Sequence, residues 1–323
     1  MPFMVSGPCK TAQKCAIPEL NVFKKVRGAP GGPDLTQMDI RDIKVTRRTG
    51  SRLVGEMCDP SGCFCSPMTG CFKIFYSQLC QSTQGWDDEP LDIELVNSYK
   101  DFLFTIKETL NLLQPWPRCF RPDGYTYRKL ILHHDGSQHM ASYGLYLVSA
   151  PADEELTPAN GYCMLVQANN AIRNHSVPLI ETSSGLLGVE AVTTLILNHH
   201  SDIISVKPFI LQVESDSECH LWCLDPAKLH KSVLVKNLCR SIHLLLRDIS
   251  LSFPCITITY SHVESLKNCA DANSKVCDDP VAAINSPEWR HGHSYFMDPA
   301  MPLANDIFLT VNNGVPIWNP PVI

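Results

Sequence analysis

A chain of 323 residues is long enough for one large domain or two modest ones. Its 44% hydrophobic and 19% charged residues exclude a disordered chain or a fibre. A formal net charge of −6 argues against a protein that coats nucleic acid non-specifically, since that affinity comes mainly from phosphate neutralisation, but leaves room for an enzyme with a local basic groove beside an acidic metal site.

Residues 1–45 lack periodicity, and Ala29-Pro30-Gly31-Gly32-Pro33 reads as a loop or linker. Met1–Ala16 carries Lys10 and Lys14 but no apolar segment of signal type. No apolar run reaches the roughly 18 residues that span a bilayer. The expectation is an intracellular protein, cytoplasmic or nuclear, with no membrane partner. Its fifteen cysteines are then free thiols in a reducing compartment, and Asn174-His175-Ser176 is a chance match to a glycosylation acceptor.

Further along, Asp59-Pro60-Ser61-Gly62 marks a turn. Cys58, Cys63, Cys65, Cys71 and Cys80 cluster nearby, but their spacing fits a structural zinc site poorly, and small buried residues are the plainer reading. Leu95, Tyr99, Phe102, Leu103, Ile106, Leu110 and Leu113 lie at helical spacing within Leu91–Leu113, which Pro115 and Pro117 end.

After Arg121-Pro122-Asp123-Gly124 the pattern changes to strands. Tyr127–His134 runs into Asp135, and Ser142–Val148 and Gly161–Gln167 follow. Thr182–Asn198 reads as a helix, Phe209–Val213 as a strand leading to Asp216, Val233–Asp248 as a helix and Cys255–Tyr260 as a strand. Three strands, then helix, strand, helix, strand, predict an α/β layer with a mixed sheet, its boundary near residue 125.

Asp135 and Asp216 each follow an apolar strand. Glu181 sits at the start of a helix just after Pro178, and Asp271 just after the last strand. Carboxylates at element ends can converge over one sheet edge and hold hard divalent ions, which take oxygen ligands. Two such ions about 4 Å apart serve phosphodiester cleavage by activating water and stabilising the leaving oxygen. Each residue alone is as well explained as a turn residue or helix cap. Glu190 competes with Glu181; nine residues on, about 900° around an α-helix, it points the opposite way. Two basic clusters, Lys44, Arg47, Arg48, Arg52 and Lys228, Lys231, Lys236, Arg240, Arg247, could contact phosphates or be ordinary solvated faces. The adjacent pairs His133-His134 and His199-His200 point in divergent directions and read as packing residues.

A series of short stretches carries a family resemblance. Thr46-Arg47-Arg48, then Asp59-Pro60-Ser61-Gly62 with Pro67, look like a "DPLG…P" segment after Thr-x-Arg. Gly85-Trp86-Asp87-Asp88 looks like Trp-Asp-Asp, and Trp116-Pro117-Arg118 like the Pro-Arg before the first strand. Leu132-His133-His134-Asp135-Gly136-Ser137 with Ala141-Ser142-Tyr143-Gly144 resembles "F-x-DAS…AYG". Val177-Pro178-Leu179-Ile180-Glu181 resembles "IPRLEL", and Ser215-Asp216-Ser217 resembles "TDS". His262-Val263 with Asn268-Cys269-Ala270-Asp271-Ala272-Asn273-Ser274 resembles "HV…NPADxxSR", and Trp289-Arg290-His291-Gly292 resembles "WWxGP". In this order, over roughly residues 46–297, the chain resembles the region after the reverse-transcriptase palm in BEL/Pao retrotransposon polyproteins. Gly136 stands in place of the family's Ala, Cys269 of its Pro and Lys275 of its Arg.

The resemblance implies a ribonuclease H-like mixed sheet with flanking helices, preceded by a smaller connection-like α+β segment. The expected division is an irregular leader (1–45), a connection-like segment (46–125), a ribonuclease H-like domain (126–300) and a C-terminal tail (301–323). It selects Glu181 over Glu190 and assigns Asp135, Glu181, Asp216 and Asp271 as catalytic ligands of two Mg²⁺ or Mn²⁺ ions that hydrolyse RNA in RNA–DNA hybrids. Lys228, Lys231, Lys236 and Arg240 would contact nucleic acid. No Tyr-x-Asp-Asp polymerase motif occurs, so a reverse-transcriptase polymerase domain would be a partner. Two alternatives remain: an inactive retroelement relic or interaction module, and an aspartic peptidase, since the family is also catalogued as a Pao retrotransposon peptidase. No Asp-Thr-Gly or Asp-Ser-Gly signature supports the latter.

Overall fold

The computed structural model describes residues 39–319 apart from 57–61, 64–65, 110–111, 115–119, 139, 174, 205–207 and 229–230. The turn at Asp59-Pro60-Ser61, the Pro115 and Pro117 stops, Cys58, Cys65 and nearly all of the leader lie outside the described residues. Three helices come first: α1 (Arg47–Glu56), α2 (Ser66–Ser82) and α3 (Ile93–Thr109). The helix expected in 91–113 is α3, which buries Val96, Tyr99, Phe102, Leu103 and Ile106 along one stripe. It packs on Phe72, Phe75 and Leu79 of α2, with Phe72 and Phe102 ring centroids 5.0 Å apart, edge to face. The segment before residue 125 was expected to be α+β; its described residues form helices. Met68, Cys71, Phe72, Phe75 and Leu79 of α2 recur at helical spacing and are all buried, a period that the cysteines and glycines around them obscure.

A seven-stranded sheet follows: β1 (Tyr125–Gly136), β2 (Met140–Pro151), β3 (Tyr162–Ile172), β4 (Phe209–Ser215), β5 (Ile256–His262), β6 (Ile307–Asn312) and β7 (Val315–Trp318). Its order is β3-β2-β1-β4-β5-β6-β7. β1, β2 and β3 pair antiparallel, whereas β4 runs parallel to both β1 and β5. The helices between and after them are α4 (Val177–Ile203), α5 (Glu218–Cys223), α6 (Val233–Ser252), α7 (Asp271–Ser274), α8 (Pro280–Asn285) and α9 (Pro287–His291).

The α/β mixed sheet with flanking helices is thus present, and both its faces are covered. Leu130 and Leu132 of β1 point into a core with Val189, Val192 and Ile196 of α4 and Ile242 and Leu246 of α6. Ile131 points the other way, into a cluster with Tyr146, Met164, Trp289 and Phe296. That double covering is why the middle of β1 reads as the unbroken apolar run Leu130-Ile131-Leu132 instead of an alternation. By length and composition α4 could cross a membrane, but 56% of its apolar window is buried inside the protein, as in a core helix.

Residues 301–319 are not a tail. Ile307–Asn312 pairs with β5 and turns at Asn313-Gly314 into β7. Both turn residues have positive φ, 49° and 75°. Asn-Gly is the pair that a two-residue hairpin favours, because both central positions are left-handed.

Candidate active site

β1 and β4 run side by side in register, with His133 opposite Glu214. Two residues on come Asp135, still paired with Ser142 of β2 near the end of β1, and Asp216, just past the end of β4, close enough for the Asp216 charge to act on Asp135. Helix α4 starts at Val177 with Pro178 in its first turn, as proline's fixed φ favours, and carries Glu181 one turn in. The approach of α4 to β1 is close: a Cβ on Gly136 would stand 2.6 Å from the Glu181 nitrogen and 2.7 Å from its Cα. The position where the resembled family has Ala is therefore one where this chain has no room for it. Glu190 is exposed and Glu181 buried.

The four sequence-derived carboxylates are neighbours. Burial lifts the Asp135 pKa to about 6, against a hydrogen bond from Ser274 that lowers it, and the charges of Asp216 and Asp271 add to the rise. Burial likewise lifts Glu181 to about 8, with Asp135 and Asp216 adding to the rise, while a Gly136 backbone hydrogen bond and Lys275 oppose it. Oε2 of Glu181 is buried with no hydrogen-bond partner. Each of the other three acids has a side-chain partner within the protein. Ser274 Oγ donates to Asp135, Asn268 Nδ2 donates to Asp216 Oδ1 at 2.9 Å, and the Lys275 ammonium pairs with Asp271. Among the described residues no group of three or more His, Cys, Asp or Glu side chains stands ready as a metal-ligand set. The all-oxygen donors and the orphaned Oε2 nevertheless fit a hard cation.

Two buried networks hold this edge. On the α4 face, Ser184 Oγ donates to the Glu181 carbonyl at 2.6 Å and so accepts from His134 Nδ1 at 2.9 Å. Nε2 of His134 is then an acceptor for Tyr260 OH at 2.6 Å, which in turn accepts from His220 Nε2 at 2.9 Å. Burial pushes His220 down to about 3, so the relay is neutral and has one direction. Gly185 makes room for it, since a Cβ there would lie 2.8 Å from Tyr260 OH.

On the opposite face the Cys269 N–H donates to His133 Nδ1 at 3.0 Å. His133 therefore keeps its proton on Nε2 and gives it to Glu214 Oε2 at 2.6 Å. Tyr295 OH and Gln212 Nε2 also donate to that carboxylate, at 2.7 and 2.6 Å. Burial alone would raise Glu214; these donors outweigh it and hold the acid below its ordinary value. The adjacent histidines do diverge as expected, one to each face. Sequence reasoning missed Glu214, His220, Tyr260, Asn268 and Ser274. A signal for the first existed: Glu214 precedes Asp216 by two, as His133 precedes Asp135.

The last turn comes from α7 and the loop before it. Asn273 Oδ1 accepts from Ser66 Oγ at 2.8 Å and from Asn170 Nδ2 at 2.6 Å, fastening α7 to α2 and β3. Of the basic candidates, Lys228, Lys236 and Arg240 share one concavity of about 460 Å³ with His243 and Arg247. Lys228 lies over the Trp222 ring at 4.4 Å; Lys231 is exposed and does not line it. In the other cluster, Arg47 is spent on Thr83 Oγ1 and the Cys80 carbonyl, and Arg48 on both oxygens of Asp87. The Thr-x-Arg and Trp-Asp-Asp stretches thus touch.

A family model described as "Pao retrotransposon-like RNaseH-like domain" matches residues 46–211, a span that includes Asp135 and Glu181. No curated protein matches. Among solved structures, the chain is similar to an RNase H1 from the archaeon Halobacterium salinarum, at 14% identity over 45% of this chain and 92% of that one, TM-score 0.28. It is similar to the N-terminal RNase H domain of a Mycobacterium tuberculosis protein, at 16% over 49% and 96%, TM-score 0.29. It is also similar to a foamy viral protease-reverse transcriptase solved with double-stranded DNA, at 13% over 71% of this chain and 34% of that one, TM-score 0.37.

Proposed function

Since the chain belongs to the family described as Pao retrotransposon-like RNaseH-like domain, we propose that it hydrolyses the RNA strand of RNA–DNA hybrids with a divalent cofactor. The observation that carries this is the buried, unpartnered Oε2 of Glu181 beside Asp135 and Asp216. Asp135, Glu181, Asp216 and Asp271 would be the ligands. Two Mg²⁺ or Mn²⁺ ions bound there would supply a lowered water pKa and charge stabilisation at the scissile phosphate.

The chain's own residues do the rest. Glu181 must give up its proton before it serves as a ligand. Ser274 and Asn268 orient Asp135 and Asp216. Lys275 balances the acidic edge until a cation takes over that role. The strip formed by Lys228, Lys236 and Arg240 would lie along the hybrid's phosphates, with shape and 2′-hydroxyl contacts deciding RNA from DNA. Residues 46–125 would adjoin a polymerase domain supplied by a partner.

A second reading, a relic without catalysis or an interaction module, is favoured by one observation: no three of the acids stand as a ready ligand set among the described residues. Hydrolysis of a labelled hybrid with Mg²⁺ or Mn²⁺ separates the two. The nuclease reading expects Asp216→Asn to lose cleavage by a factor of about 100 or more. Cleavage that survives Asp216→Asn sinks the site assignment. A wild type that neither cleaves nor binds divalent ions in a titration leaves the relic.

A further inference from the structure

A pair of cysteines outside the acidic edge has no part in the function proposed above. Cys71 lies in the second turn of α2 and is fully buried. Cys277 lies in the strap between α7 and α8 and is partly exposed. The two sulfurs are 4.0 Å apart although 206 residues separate them in the chain. The Cys277 backbone N–H points at Cys71 Sγ from 3.4 Å. A disulfide needs the sulfurs to close to about 2.05 Å, within reach of a rotation about the side-chain bonds. Both flanks are fixed: α2 by its core, and α7 by the Ser66–Asn273–Asn170 bonds.

From this juxtaposition we infer that Cys71 and Cys277 form a dithiol–disulfide site, oxidised by a peroxide, that ties the strap bearing Lys275 to helix α2. The asymmetry of the pair supports it. The Cys277 S–H and N–H hold the Cys71 thiol below its ordinary pKa, as suits the thiol that resolves; the same contact raises Cys277 and so slows its attack, but of the two only Cys277 is open to solvent, where peroxide arrives.

The chemistry balances with peroxide as the one co-reactant. The small deprotonated fraction of Cys277 attacks a peroxide oxygen. The O–O bond breaks, hydroxide leaves and takes a proton, and Cys277 carries a sulfenic acid. The Cys71 thiolate then attacks Cys277 Sγ, the S–S bond forms, the S–O bond breaks, and the second hydroxide leaves as water with the proton Cys71 gave up. Two thiols lose two electrons and two protons, and one peroxide becomes two waters. In a reducing compartment the resting form is the dithiol.

The inference stands independently of the nuclease reading, because its readout is a covalent bond. The reduced full chain is exposed to a small excess of hydrogen peroxide, remaining thiols are alkylated after denaturation, and the digest is mapped by mass spectrometry. The expected product is a peptide pair joined through Cys71 and Cys277. It is lighter by the mass of two hydrogens than the reduced pair, is cleaved by dithiothreitol, and is absent from Cys277→Ser. Cys71→Ser should also abolish it; the variant at the partly exposed position serves if the buried one does not fold. Recovery of both cysteines alkylated after peroxide treatment, or joining of either to another cysteine of the native chain, overturns the proposal.

Discussion

A carboxylic acid with a pKa near 8 carries its proton at neutral pH, and Glu181 is such an acid. Folding raises its pKa from the ordinary carboxylate range, and that of Asp135 to about 6. A folded-state pKa above the unfolded one stabilises at low pH and loses that contribution as pH rises through the folded value. The ion-free protein should therefore lose stability between the ordinary carboxylate range and about pH 8, Glu181 accounting for up to several kcal/mol of it. Glu181→Gln should flatten that slope in urea melts taken across the range, and an unchanged slope would contradict the buried acid. Gly136 is the neighbour that makes the burial. Gly136→Ala must push the Glu181 backbone away, at about 1–3 kcal/mol. A denaturant midpoint equal to wild type would show that α4 yields freely.

The element carrying most of the site's precision is the shortest α-helix. α7 is a single turn, far too short to persist without tertiary support, yet Asn273 bonds to Ser66, Asn170 and the Asn169 carbonyl, while Ser274 and Asp271 face the acidic edge. Asn273→Ala should cost about 2 kcal/mol, by leaving Asn170 and Ser66 short of a buried partner. It should also weaken divalent-ion binding, which calorimetric titration would measure; unaltered affinity would mean the clamp does not position Asp271. Most of the long elements were readable from sequence because they repeat their period several times: α3, α4, α6 and the strands up to β5 all fall where hydrophobic spacing puts them, whereas α2, as long as α3, is hidden by its cysteines and glycines. The four acids were readable as residues at element ends, and only the family pattern separated Glu181 from Glu190. Their partners were not. Ser274 and Asn268 are ordinary residue types, and they meet Asp135 and Asp216 across 139 and 52 residues of chain. β6 and β7 were passed over although Asn313-Gly314 announced their hairpin, because two short strands have little period to count.

Over the whole molecule the charge is uneven. A chain with net charge −6 gathers Lys228, Lys236, Arg240 and Arg247 around one concavity, and phosphate attraction would be confined to that side. Reversing Lys236 and Arg240 to Glu should weaken hybrid binding at least about tenfold at low salt and flatten the salt dependence by about two units of slope. The melting temperature should hardly move, since both side chains are exposed. An unaltered slope, measured by fluorescence anisotropy, would remove this face from the hybrid's path. The placement of two histidines has another consequence. His133 serves the Glu214 carboxylate beneath the sheet and His134 the Tyr260 hydroxyl above it, with Asp135 next in line. Deleting or inserting one residue in the second half of β1 would exchange the faces. Each histidine would then meet the other's partner, Leu130 and Ile131 would trade cores, and the acid would turn away from Asp216. The stretch should therefore tolerate point substitution better than any change of length. In a scan of single-residue insertions and deletions read out by solubility, residues 130–136 should be barren while the 152–160 connection accepts them.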